Sequence, residues 1–296
     1  MNTLLTRTLT GILIVGVILA GLLIDSLAFF VVFLGIMVAT QWEFYRILRR
    51  IKVRAQMLQG VVLGMAMFSL FFLVAIQALP VRFLVILLIF FPFVFIHEIY
   101  AQHNRPFHNI AYTFLGLIYI ALPFSLLSFL VFDVHEKLQP VFTIDGKEDL
   151  LNFLLQPGYA IEYDPGIVLG IFILIWMYDT GAYLSGVLFG RHRLMPRISP
   201  KKTWEGVIGG AVAAVLTGVA LTKVLHVLNG MEWQMIVFVV VVFGTLGDLA
   251  ESLLKRRIGV KDSGRILPGH GGFLDRFDSF LFITPVVVAL LVILQP

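Results

Sequence analysis

Long apolar runs separated by short polar connections repeat along the chain from end to end. A helix needs roughly 20 apolar residues to cross a hydrocarbon core about 30 Å thick. On that measure the pattern predicts helices near residues 9–24, 27–46, 56–78, 80–99, 109–132, 166–190, 204–228, 233–256 and 273–294. The first, GILIVGVILAGLLI before Asp25, is short for a span and also fits one arm of a re-entrant hairpin with the second. The fold class that follows is an all-α polytopic membrane protein of about nine transmembrane helices. Its expected organisation is an N-terminal transmembrane scaffold over 1–135 (helices 1 to 5), an external loop over 136–165, and a C-terminal catalytic transmembrane region over 166–296.

Composition agrees with the pattern. The chain is 59% hydrophobic and 14% charged, which excludes an ordinary soluble domain. Only Arg7 precedes the first apolar run and no small-residue cleavage site follows it, so a cleavable signal peptide is not expected. Cysteine is absent, which rules out disulfides and thiolate metal sites and leaves carboxylate, histidine or backbone oxygen for any metal. Of the 22 lysines and arginines, all but Arg82, Lys137, Lys147 and Lys223 fall on one side of the predicted spans. Basic residues are retained in the cytoplasm, so the bias orients the chain with a cytoplasmic N-terminus and an external C-terminus.

Two polar segments add little chemistry. The connection over 133–165 is acidic and reads as a solvated cap, with a short strand in VFTIDGK. The basic run YRILRRIKVR at 45–54 is an anchor of the positive-inside kind, with recognition of anionic headgroups as the sharper alternative.

The second half places carboxylates at depths where they are costly. In WMYDTGAYLSGVLFG, Asp179 lies about eleven residues from the cytoplasmic end of its helix, roughly 16 Å deep at 1.5 Å per residue. In GTLGDLAESLLKRR, Asp248, Ser252 and Lys255 fall on one helical face, with Glu251 beside it. Asp275 and Asp278 open the last helix three residues apart, hence on one face. Two carboxylates so close repel unless a cation lies beside them, although either also suits a helix N-cap. If Asp248 faces the pair, the three form an all-oxygen site of the kind Mg²⁺ uses, completed by water and phosphate.

The neighbouring connections, RHRLMPRISPKKTWEG and KRRIGVKDSGRILPGHGG, combine basic residues with Gly, Ser and Pro. Carboxylate-held Mg²⁺ beside a basic, glycine-bearing loop at a helix N-terminus is what nucleotide phosphates require. Gly269, Gly271 and Gly272 stand just before the last helix and let backbone N–H groups approach an anion.

These residues carry a resemblance. SLLKRRIGVKDSGRILPGHGGFLDRFDS, residues 252–279, closely resembles the signature of CDP-diacylglycerol synthases, also called phosphatidate cytidylyltransferases. ISPKKTWEG at 198–206, DTGAY at 179–183 and GDLAES at 247–252 are similar to that family as well; the first five helices match only in membrane character. The resemblance implies an integral protein of a bacterial inner membrane, homodimeric, with its active site on the cytoplasmic side. Its implied reaction joins CTP and phosphatidic acid into CDP-diacylglycerol and pyrophosphate. It implies that Asp248, Asp275 and Asp278 hold Mg²⁺, with K⁺ as a second metal. Membrane lipid is the surrounding partner, and no nucleic acid is expected.

On that reading Lys201, Lys202, Lys255, Arg256 and Lys261 neutralise substrate and leaving-group charge, with Lys255 and Arg256 counted among the catalytic residues. Asp179, Ser199, Thr203, Glu205, Ser252, Asp262 and His270 orient phosphates and loops, and Arg276 either meets the lipid phosphate or holds the two carboxylates apart. Two rivals exist: an ion-coupled transporter or channel lined by the same aspartates, and a CTP-dependent lipid kinase of the dolichol type attacking the γ-phosphorus.

Overall fold

Helix boundaries follow from local caps. A computed structural model describes residues 3–132, 162–264, 266–269 and 271–294, with side chains from residue 8 onward. The first helix, α1 (Thr3–Leu23), gives way to α2 (Ser26–Ile51) at Asp25, whose carboxylate accepts the N–H of Ala28 at 2.6 Å. α3 (Met57–Ala75), α4 (Val81–Ala101) and α5 (Pro106–Val131) complete the first half. Lys52 and Gln102 stand in left-handed conformation at the ends of α2 and α4, where such a residue closes a helix.

The second half contains α6 (Gly166–Phe189), α7 (Trp204–Val224), α8 (Gly230–Ile258) and α9 (Leu274–Leu294). Thr203 caps α7 by accepting from Gly206, Asn229 and Glu232 form a capping box on α8, and Gly259 ends α8 at φ 75°. Among the described residues, α2 to α9 are the eight helices long and apolar enough to cross a membrane; the apolar stretch of α1, Thr8–Leu23, is shorter. The positions agree closely with the nine predicted runs. The acidic connection up to residue 161, including the expected strand in VFTIDGK, lies outside the described residues, as do Arg265 and His270.

Three features lack a counterpart in the apolar pattern. The connection between α6 and α7 folds into a hairpin of β1 (Arg193–Met195) and β2 (Ser199–Thr203), with Arg193 opposite Thr203 and Met195 opposite Ser199. α5 and α8 each contain a π-helical turn, Leu117–Ala121 and Val240–Gly244. Such turns insert a residue and rotate the phase of the helix that follows, and they favour functional sites.

The core is continuous from Ile18 to Leu291, so the scaffold and C-terminal regions share one interior. Phe172 of α6 stacks on Phe280 of α9 with 5.3 Å between ring centroids and planes 8° apart. α6 and α7 approach through small residues: a Cβ added at Gly181 would stand 2.7 Å from that of Ala213. Buried polar side chains tie α2 to its neighbours, with Tyr45 donating to the carbonyl of Thr113 at 2.8 Å and Gln41 to that of Gly60 at 3.0 Å. Each such bond inside a membrane protein contributes about 0.6 kcal/mol on average.

Candidate active site

Polar residues from five helices and two connections meet at the end of the bundle where the basic loops lie. They form two adjoining groups.

The first centres on Lys255, near the end of α8. Its ammonium donates to Asp275 at 2.7 Å and is ion-paired with Glu251 one turn back, whose side chain is fully buried. Asp275 also accepts the N–H of Ser263 at 3.0 Å and of Gly272 at 2.8 Å. Breaking a buried pair of this kind by removing one partner leaves an uncompensated charge, at a cost of about 3–5 kcal/mol. Behind the group stands Glu43 of α2, only 2% exposed, accepting from Leu274 N–H at 3.0 Å and the Ser263 hydroxyl at 3.1 Å. Gly272 has no room for a side chain, because an added Cβ would collide with the oxygens of Glu43 and Ser263.

The second group contains Asp248, Asp278, Asp179 and Lys202. Lys202, at the end of β2, is ion-paired with Asp248, which also accepts from the Ser252 hydroxyl at 3.2 Å. Asp278 accepts the N–H of Ser279 at 2.6 Å, and its electrostatic neighbours are Asp248, Asp179 and Lys202. Asp179 is exposed on α6 and faces the charges of Lys202, Asp248 and Arg276. The buried hydroxyl of Tyr119, on the π-turn of α5, has no hydrogen-bond partner among the described residues and lies within electrostatic reach of Asp278, Glu251 and Asp248.

This arrangement redistributes the expected trio. Asp248 and Asp278 remain electrostatic neighbours, but both oxygens of Asp275 are engaged by Lys255 and two backbone N–H groups. Among the described residues no group of three or more His, Cys, Asp or Glu side chains is gathered closely enough to hold a metal. The donor set nevertheless fits a hard cation. Asp248 already accepts an ammonium, and Mg²⁺ usually takes only one or two carboxylates, with water and phosphate oxygens completing its shell.

Several other expected binding residues serve the local structure. Glu205 accepts from the backbone N–H groups of Arg191 and His192 and contacts the His192 ring at 2.6 Å, closing the base of the hairpin. Thr203 is the α7 cap. Arg256 is exposed and donates to the carbonyl of Ile198 at 3.4 Å, tying α8 to the hairpin that carries Ser199 and the exposed Lys201. Gly269 and Gly271 adopt φ of 78° and 85°, which form the turn before α9. The Gly272 N–H, expected to face an anion, is taken by Asp275. Lys261 and Asp262 are exposed and line a cavity of about 640 Å³ with Arg46 and Arg50 of α2.

Glu43 and Tyr119 are the participants that sequence reasoning missed. A lone carboxylate in an apolar run was the available signal for Glu43, since intramembrane charge marks function. Tyr119 carried none, being one aromatic residue among many.

These features define a polytopic helical membrane protein with a carboxylate–lysine centre at one end of its bundle. Its family follows from comparison: the model of the Cytidylyltransferase family matches residues 5–294, and the chain belongs to that family. A phosphatidate cytidylyltransferase of Staphylococcus saprophyticus is 49% identical over 128 residues, 42% of this chain and 48% of that protein. Those of Staphylococcus haemolyticus, 48% identical, and Staphylococcus aureus, 49% identical, each match over 127 residues with the same coverage. The chain thus spans about half the length of the curated relatives it matches.

Proposed function

We propose that the chain is a phosphatidate cytidylyltransferase, converting CTP and phosphatidic acid to CDP-diacylglycerol and pyrophosphate. Family membership and the names of its relatives support the reading. The observation that carries it is the pairing of two lysines with carboxylates of α8 and α9: Lys202 with Asp248, and Lys255 with Asp275. Anionic substrates bring phosphate oxygens that compete with those carboxylates for the same ammonium groups.

In the proposed reaction an oxygen of the lipid phosphate forms a bond to the α-phosphorus of CTP. The bond from that phosphorus to the oxygen bridging to the β-phosphorus breaks, and pyrophosphate leaves with the electron pair. A phosphate monoester is already anionic at neutral pH, so the protein needs no nucleophile or strong base of its own. Its contribution is orientation and charge neutralisation. Lys202 and Lys255 serve as the inner cations, with Lys201, Arg256 and Lys261 as outer ones, and Arg276 meets the lipid phosphate. Asp248 and Asp278 would hold Mg²⁺, which when bound supplies positive charge to the triphosphate. Asp275 holds the ammonium of Lys255 within the centre and would serve as a metal ligand, as the family resemblance implies, only if freed from that pairing. K⁺ as a second metal, a homodimer, nine spans and a cytoplasmic site in a bacterial inner membrane complete this reading.

The test is product identity with purified protein, labelled CTP and phosphatidic acid. CDP-lipid with pyrophosphate in equal amounts supports the proposal. Phosphorylated lipid alcohol with CDP would assign a kinase, and solute flux without covalent change a transporter.

A further inference from the structure

A cavity of about 940 Å³ lies away from the carboxylate–lysine centre, formed by the end of α2, the connection to α3, the end of α4 and the start of α5. Its lining includes Arg49, Lys52, Arg54 and Arg105, all exposed. Among the described residues none of the four is ion-paired. Arg49 donates only to the sulfur of Met57, at 3.4 Å, a weak acceptor.

The wall behind them is built rather than incidental. Backbone N–H groups of Arg54 and Gln56 donate to Asn109 and Thr113, each at 2.9 Å, which fixes the segment that presents the cations. Behind the lining, Glu98, 3% exposed, accepts from Gln56 at 3.2 Å and Asn109 at 3.3 Å and pairs with His103 at 3.1 Å. The Gln56 side chain is buried and its amide nitrogen donates to the carbonyl of Val94 at 2.8 Å and to Glu98, which anchors this wall from behind. Guanidinium groups match phosphate oxygens two at a time.

We propose that this cavity binds the phosphate ester headgroup of an anionic membrane lipid, at a site separate from the carboxylate–lysine centre. A phosphate ester is the shared chemistry of lipid and soluble ligands. The lipid source is favoured by α4, which continues from the cavity as a helix with Phe93, Ile96, Ile99 and Tyr100 exposed, a surface suited to acyl chains. The site takes its ligand whatever reaction the other centre performs.

The experiment uses the full chain purified in neutral detergent and titrated with phosphatidylglycerol, read by native mass spectrometry. Arg49→Gln, Arg54→Gln and Arg105→Gln combined are expected to weaken lipid retention by at least about tenfold, since each basic group near an anionic headgroup contributes measurably. Glycerol 3-phosphate is expected not to displace the lipid. Retention equal to the unaltered chain would overturn the site, and displacement by glycerol 3-phosphate at matching concentration would overturn its assignment to a lipid. Should the triple variant fail to fold, a photoreactive phosphatidylglycerol with its crosslinker on the headgroup tests the unaltered chain. Labelling within residues 49–56 and 97–105 supports the proposal, and labelling confined to other segments overturns it.

Discussion

Glu43 accepts the backbone N–H of Leu274 at 3.0 Å, joining the second helix to the first residue of the last. Through the Ser263 hydroxyl the same carboxylate holds the loop that presents Asp275 to Lys255. Glu43→Ala removes the acceptor of two buried donors, each left unsatisfied at about 1–3 kcal/mol. The expected result is a clear drop in thermal unfolding temperature in detergent together with lost turnover. Glu43→Gln keeps an acceptor for Leu274 and is expected to recover most of the stability.

Among the described residues, Lys255 is the one cation ion-paired with the two acids Glu251 and Asp275. Lys255→Met is expected to destabilise the protein by about 3–5 kcal/mol, because both carboxylates lose their partner in a buried setting. Adding Glu251→Gln to that variant is expected to restore part of the loss in a chemical unfolding titration. Equal stability of the single and double variants would show that Glu251 and Lys255 do not interact energetically.

Asp278 accepts one backbone N–H and otherwise faces Asp248, Asp179 and Lys202. Asp278→Asn preserves shape and removes charge. The expected outcome is normal insertion with CDP-diacylglycerol synthesis reduced about a thousandfold or more, the equivalent of several kcal/mol in metal-assisted stabilisation. Stripping divalent metal from the unaltered protein with a chelator is expected to have the same effect, reversed by added Mg²⁺.

Tyr119 places a hydroxyl that is unpaired among the described residues within electrostatic reach of the carboxylates. Tyr119→Phe leaves packing against Phe282 intact and removes one hydrogen-bonding group. Turnover is expected to fall about tenfold with unfolding temperature unchanged, as befits a donor used by substrate rather than by the fold. Unaltered turnover would assign the phenol to packing alone.

Much of this architecture was legible in the chain. Apolar run length fixed the helices to within a few residues because a bilayer imposes one length on every span. Asp179, Asp248 and Asp278 were legible because charge at depth is costly. Other features had no such signal. The hairpin carrying Lys202 hides in RHRLMPRISPKKT, which lacks the alternation of a half-buried strand. The π-turns shift helical phase without altering composition. That Asp275 turns to Lys255 and backbone N–H groups, while Asp179 joins Asp248 and Asp278, depends on how helices pack, and spacing along one helix does not encode it.

The bond from Ser263 to Glu43 spans 220 residues of sequence. During synthesis Glu43 therefore enters the bilayer long before either of its donors exists, and a carboxylate waiting there unpartnered is costly. A chain that stops short of the last helix never supplies the second donor, the N–H of Leu274. Settling the second helix around Glu43 thus waits on residues from the far end of the chain.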